Sequence, residues 1–209
     1  MYRNEPLERY LKDAAAGTPT PGGGSVASLV GALATTMSSM SANFTIGKEK
    51  FKQYDSQLKR ILEECAKSRE IMLSLMEEDI AVYGKLSSAY TLPKSNETEK
   101  KLRSEAIQNA TIIAMEVPLK ATMCCLYILE LTRELADIAN PNLISDVGVA
   151  GFLAEAALQC AKLNVEINLA TIKNQSLVEK AQNELSQAEK KAKMFFKEIQ
   201  EKVQKTIKG

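Results

Sequence analysis

The stretch Pro21-Gly22-Gly23-Gly24-Ser25-Val26-Ala27 opens the least charged segment of this sequence. From Ala14 to Gly47 there is no Asp, Glu, Lys or Arg, although charged residues make up 25% of the chain. Serines, threonines, an asparagine and glycines interrupt the segment, whereas a membrane span needs about 20 predominantly apolar residues. We therefore predict a central helix packed on all sides by other helices, and no membrane association.

The glycines follow two prolines, Pro19 and Pro21, which hold the approach extended because each disfavours helix in the preceding residue. Ser25 is the predicted N-cap of the helix. Its N-terminus would offer free N–H groups and favour negative charge. Taken alone, the motif favours a joint that needs glycine for steric reasons, and it lacks the GK[ST] and the spacing of nucleotide-binding loops.

Length and charge limit the function classes. We expect residues 1–209 to form one domain, since a chain of this length can build a single large core. Lys and Arg number 27 against 26 Asp and Glu, so a net charge of +1 does not favour nucleic-acid binding. The chain begins with a charged amphipathic helix instead of a signal peptide, and we expect a cytoplasmic protein.

The chain contains no histidine and four cysteines without a CxxC pair. Histidine bases are excluded, and a zinc or iron site is not expected. No tightly bound cofactor is predicted. Proton transfer must use carboxylates, lysine, tyrosine, hydroxyls or water. The cysteines lie in apolar helical patterns and are predicted to be reduced core thiols: Cys65, Cys124, Cys125 and Cys160.

No sustained alternation indicates a strand, so we predict an all-α bundle of long antiparallel helices. In the long pattern from Ile107 to Leu135, Pro118 is expected to kink or break the helix. Gly47 is a predicted C-cap, and Asp55, Asn96 or Thr98, and Ser145 are predicted N-caps. The other predicted helices are Glu5 to Ala16, the uncharged segment, Asp55 to about Ser88, one opening at Ser145, and a last one from about Ser176.

Asp79 lies in the apolar seam of the third helix, flanked by Met76, Ile80 and Tyr83. A carboxylate so placed must find a partner, reach a solvated cleft, or raise its pKa. An ion pair or a cap for a neighbouring helix explains it as well as a catalytic acid or base does.

A face of small residues in the fifth helix continues as Asn164 and Asn168, one turn apart. These amides could cross-link helices or bind a flat heterocycle. The last helix reads as an exposed, coiled-coil-like arm that suggests dimerisation. The small face consists of Ala150, Ala154, Ala157 and Ala161.

Several features, in this order along essentially the whole chain, resemble the cyclodeaminase/cyclohydrolase family. That family includes the C-terminal domain of formiminotransferase-cyclodeaminase and stand-alone methenyltetrahydrofolate cyclohydrolases. The features are Pro19 to Ala27 with Gly31-Ala32-Leu33, Asn43 and Gly47-Lys48; Asp79 with Tyr83; Leu92-Pro93-Lys94; Val117-Pro118-Leu119; Ser145-Asp146; and Asn164 to Leu169.

The resemblance implies an all-helical homodimer that binds a tetrahydrofolate derivative in a groove lined partly by the partner. Because the motif begins close to Met1, we expect a free-standing cyclohydrolase that converts 5,10-methenyltetrahydrofolate to 10-formyltetrahydrofolate. A formiminotetrahydrofolate cyclodeaminase is the alternative, and a non-catalytic folate-binding dimer is the second.

Either reaction can use a carboxylate as acid and base. Asp79 is the first catalytic candidate and Asp146 the second. The remaining predicted residues bind substrate: Gly23, Gly24, Ser25 and Ser145 at helix N-termini; Asn43, Asn164 and Asn168 toward the pterin or the water; and Lys48 or Lys94 toward the carboxylates of the tail.

Overall fold

Six α-helices and three short 3₁₀ turns make up the fold in the computed structural model, which describes residues 1–209. No strand is present, and the all-α prediction is confirmed. The turns are Tyr2–Asn4, Glu49–Tyr54 and Pro141–Leu143. The helices are α1 (Leu7–Ala14), α2 (Gly23–Asn43), α3 (Asp55–Tyr90), α4 (Glu97–Ile138), α5 (Ile144–Leu169) and α6 (Gln175–Lys208).

Helix α2 lies against α3, α4 and α5, and its small residues allow close packing. A Cβ placed on Gly31 would lie 2.3 Å from Met72 Cε, so a larger residue at this position would require the end of the Met72 side chain to move. The fourth side of α2 is open, however, with Val26 38% and Leu33 49% exposed. The prediction that α2 is covered on all sides is therefore wrong within one chain.

Helix α4 continues through Pro118 without a break. A proline inside a helix lowers stability by about 3 kcal/mol. Pro118 is buried, and its helix packs against α2, α3, α5 and α6. Tertiary packing offsets the lost hydrogen bond. The predicted break at Pro118 is therefore wrong, whereas the alternative, a kink, stays a prediction. By length and composition α4 and α5 could each cross a membrane, yet both lie in this bundle with core residues along their length.

The helix caps were partly predictable. Asn96 caps α4, its side chain accepting from Glu99 N–H at 2.9 Å. The N-cap predictions for Ser25, Asp55 and Ser145 are wrong, because each of these residues already lies inside its helix. Asp55 instead accepts from the backbone N–H of Gly47 at 3.0 Å and closes the connection between α2 and α3.

Helix α2 ends at Asn43, before the predicted C-cap at Gly47, which adopts a φ of +75° in the connecting turn. Only glycine adopts such a conformation routinely. The predicted C-cap at Gly47 is therefore wrong: Phe44 is the C-cap, and Gly47 lies four residues beyond the end of the helix.

Helix α6 is part of the bundle, so the predicted exposed arm is wrong. It packs against α4 and α5. Two glycines of α5 allow this contact: a Cβ on Gly148 would lie 3.3 Å from Val203, and one on Gly151 would lie 3.0 Å from Ile199. The apolar seam of α6 is buried against its own chain: Val178, Ala181, Leu185, Ala188, Ala192, Phe195, Ile199 and Val203.

Candidate active site

A pocket of about 310 Å³ lies where the N-terminus of α2 meets α3 and α5. A larger apolar groove of about 470 Å³ runs between α3 and α4, but the smaller pocket contains Asp79. Ala114 of α4 also lines it. The other lining residues are Pro19, Thr20, Gly22, Gly23 and Gly24 from the N-terminal loop and α2; Asp79, Val82, Tyr83 and Leu86 from α3; and Asn164, Ile167 and Asn168 from α5.

Asp79 is partly buried and its carboxylate has one hydrogen bond from the protein. The backbone N–H of Ser25 donates to Asp79 Oδ2 at 2.9 Å. Burial raises the pKa of Asp79, and the bond from Ser25 opposes that rise. Asp79 therefore caps the first turn of α2 from a neighbouring helix while it also faces the pocket, and no ion pair accounts for its position.

The glycines of the motif bring the backbone of α2 against these side chains. A Cβ on Gly24 would lie 2.2 Å from Asp79 Oδ1, a distance that real Cβ atoms do not show. A Cβ on Gly23 would lie 3.2 Å from Asn164 Nδ2. Glycine is therefore needed at these positions for steric reasons, because the backbone of α2 lies directly against pocket side chains. The positive end of the α2 dipole also lies beside the carboxylate.

Asn164 and Asn168 lie on the pocket side of α5 and do not cross-link helices. Asn164 Nδ2 donates to the Cys160 carbonyl at 2.8 Å, and Asn168 Nδ2 donates to the Asn164 carbonyl at 2.7 Å. Because each NH₂ group is bonded within α5, each side chain retains its Oδ1 as an acceptor. The pair can therefore accept hydrogen bonds from a donor in the pocket.

Tyr83 is the single aromatic residue that lines the pocket, and it is 41% exposed. It follows Asp79 by four residues, so both side chains project from the same face of α3. Sequence reasoning did not place the loop and apolar residues of the wall. Helical spacing could have found Val82 and Leu86, three and seven residues after Asp79, and Ile167, three residues after Asn164. Pro19 and Thr20 precede the glycines in the sequence, whereas Ala114 comes from another helix.

The other predicted site residues lie outside this pocket within one chain. Asp146, with Ser145, precedes Asn164 by 18 residues of α5, which is about 27 Å along the helix. Asn43 follows Gly24 by 19 residues of α2, about 28 Å away, and Lys48 lies beyond it. Lys94 is exposed in the loop between α3 and α4.

The pocket thus brings together Asp79, Gly23, Gly24, Asn164 and Asn168, with Ser25 behind the carboxylate. No group of three or more Cys, Asp or Glu side chains is placed to hold a metal ion. The free acceptors and the aromatic face can hold a flat, polar ligand, and the carboxylate of raised pKa can transfer protons next to it.

Comparison with known proteins gives three results. Residues 6–187 match the family described as Formiminotransferase-cyclodeaminase. A methenyltetrahydrofolate cyclohydrolase of Methylorubrum extorquens is 36% identical over 185 residues, which are 88% of this chain and 89% of that one. A formimidoyltransferase-cyclodeaminase of Rattus norvegicus is 30% identical over 187 residues, 90% of this chain but 35% of that one, so this chain spans about a third of that relative.

The crystal structure of formiminotetrahydrofolate cyclodeaminase from Thermotoga maritima has the same fold. It superposes with a TM-score of 0.90 at 29% sequence identity, covering 99% of this chain and 100% of that chain.

Proposed function

The chain belongs to the formiminotransferase-cyclodeaminase family, and from that premise we propose that it is a methenyltetrahydrofolate cyclohydrolase. It hydrolyses 5,10-methenyltetrahydrofolate to 10-formyltetrahydrofolate. Support comes from the 36% identity to a cyclohydrolase along 89% of that relative. The observation that carries the proposal is the carboxylate of Asp79, which faces the pocket without a cation partner.

The chemistry follows from the substrate, in which one carbon bridges N5 and N10 as an amidinium cation. Water attacks that carbon and gives a tetrahedral carbinolamine, and cleavage of the bond to N5 leaves the formyl group on N10. Asp79 accepts a proton from the attacking water and then donates it to N5, and the remaining hydroxyl proton of the carbinolamine is released to solvent as the formyl carbonyl forms. The raised pKa of Asp79 suits both of its steps, because proton transfer is most efficient when the pKa lies near the working pH.

The two carboxylate oxygens of Asp79 have different hydrogen-bond partners in the proposed mechanism. Oδ2 is held by the N–H of Ser25, which leaves Oδ1 for the water. The ionised carboxylate also stabilises the cationic substrate. Asn164 and Asn168 accept hydrogen bonds from the pterin, and Tyr83 packs against its ring. The substrate carries its own electrophile, so the reaction needs no bound cofactor.

A second candidate function is formiminotetrahydrofolate cyclodeamination, which the similarity to the Thermotoga maritima enzyme favours. N10 attacks the formimino carbon on N5, the carbon–nitrogen bond to the imino nitrogen breaks, and ammonia leaves. The products are 5,10-methenyltetrahydrofolate and ammonia. With the formimino group protonated, Asp79 would move the N10 proton to the departing nitrogen, which leaves as ammonia, so the same pocket serves either reaction.

We also infer that the protein is a homodimer in the cytoplasm, joined through an apolar face formed by α2 and α5. These helices are neighbours, and the open side of each carries large exposed apolar residues. The face includes Val26, Leu33, Phe44, Val149, Phe152, Leu163 and Ile167.

A second copy of the chain fits this face because Ile167 belongs both to the face and to the pocket. In a two-fold dimer each face meets its own copy. An axis near Leu33, the midpoint of α2, would pair the two α2 helices in opposite directions. Asn43 and Lys48 of the partner subunit would then reach the pocket, and the predicted site would be completed by two chains.

A steady-state assay with both substrates tests the proposed function. We expect purified protein to consume 5,10-methenyltetrahydrofolate well above its spontaneous hydrolysis. Release of ammonia from 5-formiminotetrahydrofolate would instead favour the cyclodeaminase. If neither reaction is accelerated, both enzymatic proposals are wrong, and calorimetric titration with the same folates decides whether the protein is a non-catalytic folate-binding dimer.

A further inference from the structure

The N-terminal segment before the pocket is anchored at very few points. Tyr10 is the only buried residue of α1, at 3% exposure, whereas Leu7 is 61% and Leu11 56% exposed. No residue between Tyr10 and Pro21 is buried. The loop that enters the pocket is therefore held at its two ends, by Tyr10 and by Pro21.

Tyr10 contacts the residue that supports the candidate catalytic carboxylate. Its hydroxyl lies 3.0 Å from Ser25 Oγ, and the two hydroxyls share a buried hydrogen bond. Ser25 is fully buried, and its backbone N–H is the group that donates to Asp79. The ring of Tyr2 packs against Tyr10 edge to face, with 5.3 Å between centroids.

The other attachments of this segment are at the surface. Arg3 N–H donates to Glu77 at 2.9 Å, and the Arg3 guanidinium pairs with Glu70 at 2.7 Å. Exposed ion pairs contribute about 0–1 kcal/mol. A buried aromatic side chain contributes more, because it removes a large apolar area from water. Tyr10 is thus the principal anchor.

The segment held by Tyr10 forms one wall of the pocket, through Pro19, Thr20 and Gly22. We propose that Tyr10 is a positioning residue for this pocket: its buried ring and its bond to Ser25 hold the wall from Pro19 to Gly22 against the ligand. The identity of the ligand rests on the proposed function, whereas the anchoring of the wall does not.

The two parts of the Tyr10 side chain can be tested separately. A wall that touches substrate and transition state equally changes KM and leaves kcat nearly unchanged. In Tyr10→Ala we expect KM to rise about tenfold with kcat within about twofold. In Tyr10→Phe, which keeps the ring, we expect a rise of about threefold, as the loss of one hydrogen bond allows. Leu11→Ala, the exposed neighbour, is the matched control and should behave as wild type.

Hydrogen–deuterium exchange gives a readout that does not depend on turnover. We expect the hydrogen-bonded amides at the two ends of this loop, Ala15 and Ala16 before it and Val26 after it, to exchange faster in Tyr10→Ala than in wild type or Leu11→Ala, while the core of α4 stays protected. Unchanged exchange of these amides would overturn the proposal. So would a variant that loses thermal stability while its KM stays at the wild-type value. If wild type accelerates neither reaction, the proposed function fails, and the exchange comparison still decides the role of Tyr10.

Discussion

Asp79 combines a structural and a chemical position in one side chain. One carboxylate oxygen accepts from Ser25 N–H and caps α2, and the carboxylate also lines the pocket. A cap needs only an acceptor, which an amide oxygen supplies as well, whereas proton transfer needs an ionisable group. The two roles can therefore be separated by replacing the carboxylate with an amide.

We predict that Asp79→Asn does not destabilise the protein near neutral pH. The folded-state pKa of Asp79 is raised, so the folded state binds the proton more tightly than the unfolded state. The free energy of unfolding then falls as pH rises through the folded-state pKa. Above that pKa the protein bears the full cost of holding an ionised carboxylate in a partly buried position. Asn keeps an acceptor for Ser25 and has no such cost. Melting curves should show Asp79→Asn at or above wild type at pH 8.

The difference in melting temperature between the two proteins should shrink as the pH falls toward the pKa of an unperturbed aspartic acid. A marked loss of stability in Asp79→Asn at pH 8 would instead indicate that the negative charge stabilises the fold.

Gly24 is predicted to be essential for the pocket geometry. In Gly24→Ala the new Cβ would overlap Asp79 Oδ1, so the carboxylate must move. We expect kcat/KM to fall at least tenfold, since small displacements of a catalytic group are costly, with about 1–3 kcal/mol of lost stability from overpacking.

Gly84→Ala in α3 is the control for Gly24→Ala. Nothing lies within 4 Å of a Cβ at Gly84, so alanine should be tolerated and should stabilise the helix by about 0.5–1 kcal/mol. Urea unfolding and steady-state kinetics of both variants test the pair. Full activity in Gly24→Ala would show that the close contact with Asp79 is unimportant.

At the scale of helices, local sequence patterns predicted the features that depend only on neighbouring residues in the chain. The helical class and the cap at Asn96 follow from periodicity and backbone preferences. The continuity of α4 through Pro118 does not, because it depends on neighbours that pack around the proline. The same limit explains the pocket. Asp79 and Asn164 stood out within their own helices, whereas Ala114 lines the pocket only through the tertiary arrangement.

The amphipathic sequence of α6 did not identify the surface against which its apolar face packs. An apolar stripe predicts that a helix face is buried, but it does not identify the surface that covers it. In this structure α4 and α5 of the same chain cover the stripe of α6. We therefore predict that Ile199→Ala, in the middle of the packed seam and 1% exposed, lowers the free energy of unfolding by about 2–5 kcal/mol.

Met194→Ala, at a position of α6 that is 51% exposed, should change the stability little. Chemical denaturation of both variants provides the comparison. Equal, small effects would mean that α6 is detached from the bundle in solution.

At the scale of the whole molecule, the face of α2 and α5 leaves seven large apolar side chains between 38% and 69% exposed on a single chain. We predict that Leu33→Glu converts the dimer to monomers, because it places two charges near the proposed axis. Leu33 does not line the pocket, yet KM should rise, since in the proposed dimer the partner completes the site. Light scattering coupled to size exclusion, with parallel kinetics, measures both effects.

Leu102→Glu is the control for Leu33→Glu, since Leu102 of α4 is 59% exposed and outside the proposed face. It should remain dimeric and active. A wild-type protein that is monomeric at micromolar concentration would contradict the dimer. Full activity in a monomeric Leu33→Glu would contradict only the shared pocket.

The central claim is that Asp79 carries the proton transfers, and turnover of Asp79→Asn tests it most directly. Kinetics with 5,10-methenyltetrahydrofolate and 5-formiminotetrahydrofolate should show kcat lowered by about 10²–10⁴ on the preferred substrate, while calorimetry shows the folate still bound. If Asp79→Asn keeps a kcat within about twofold of wild type on that substrate, Asp79 is a helix cap and the proposed mechanism is wrong.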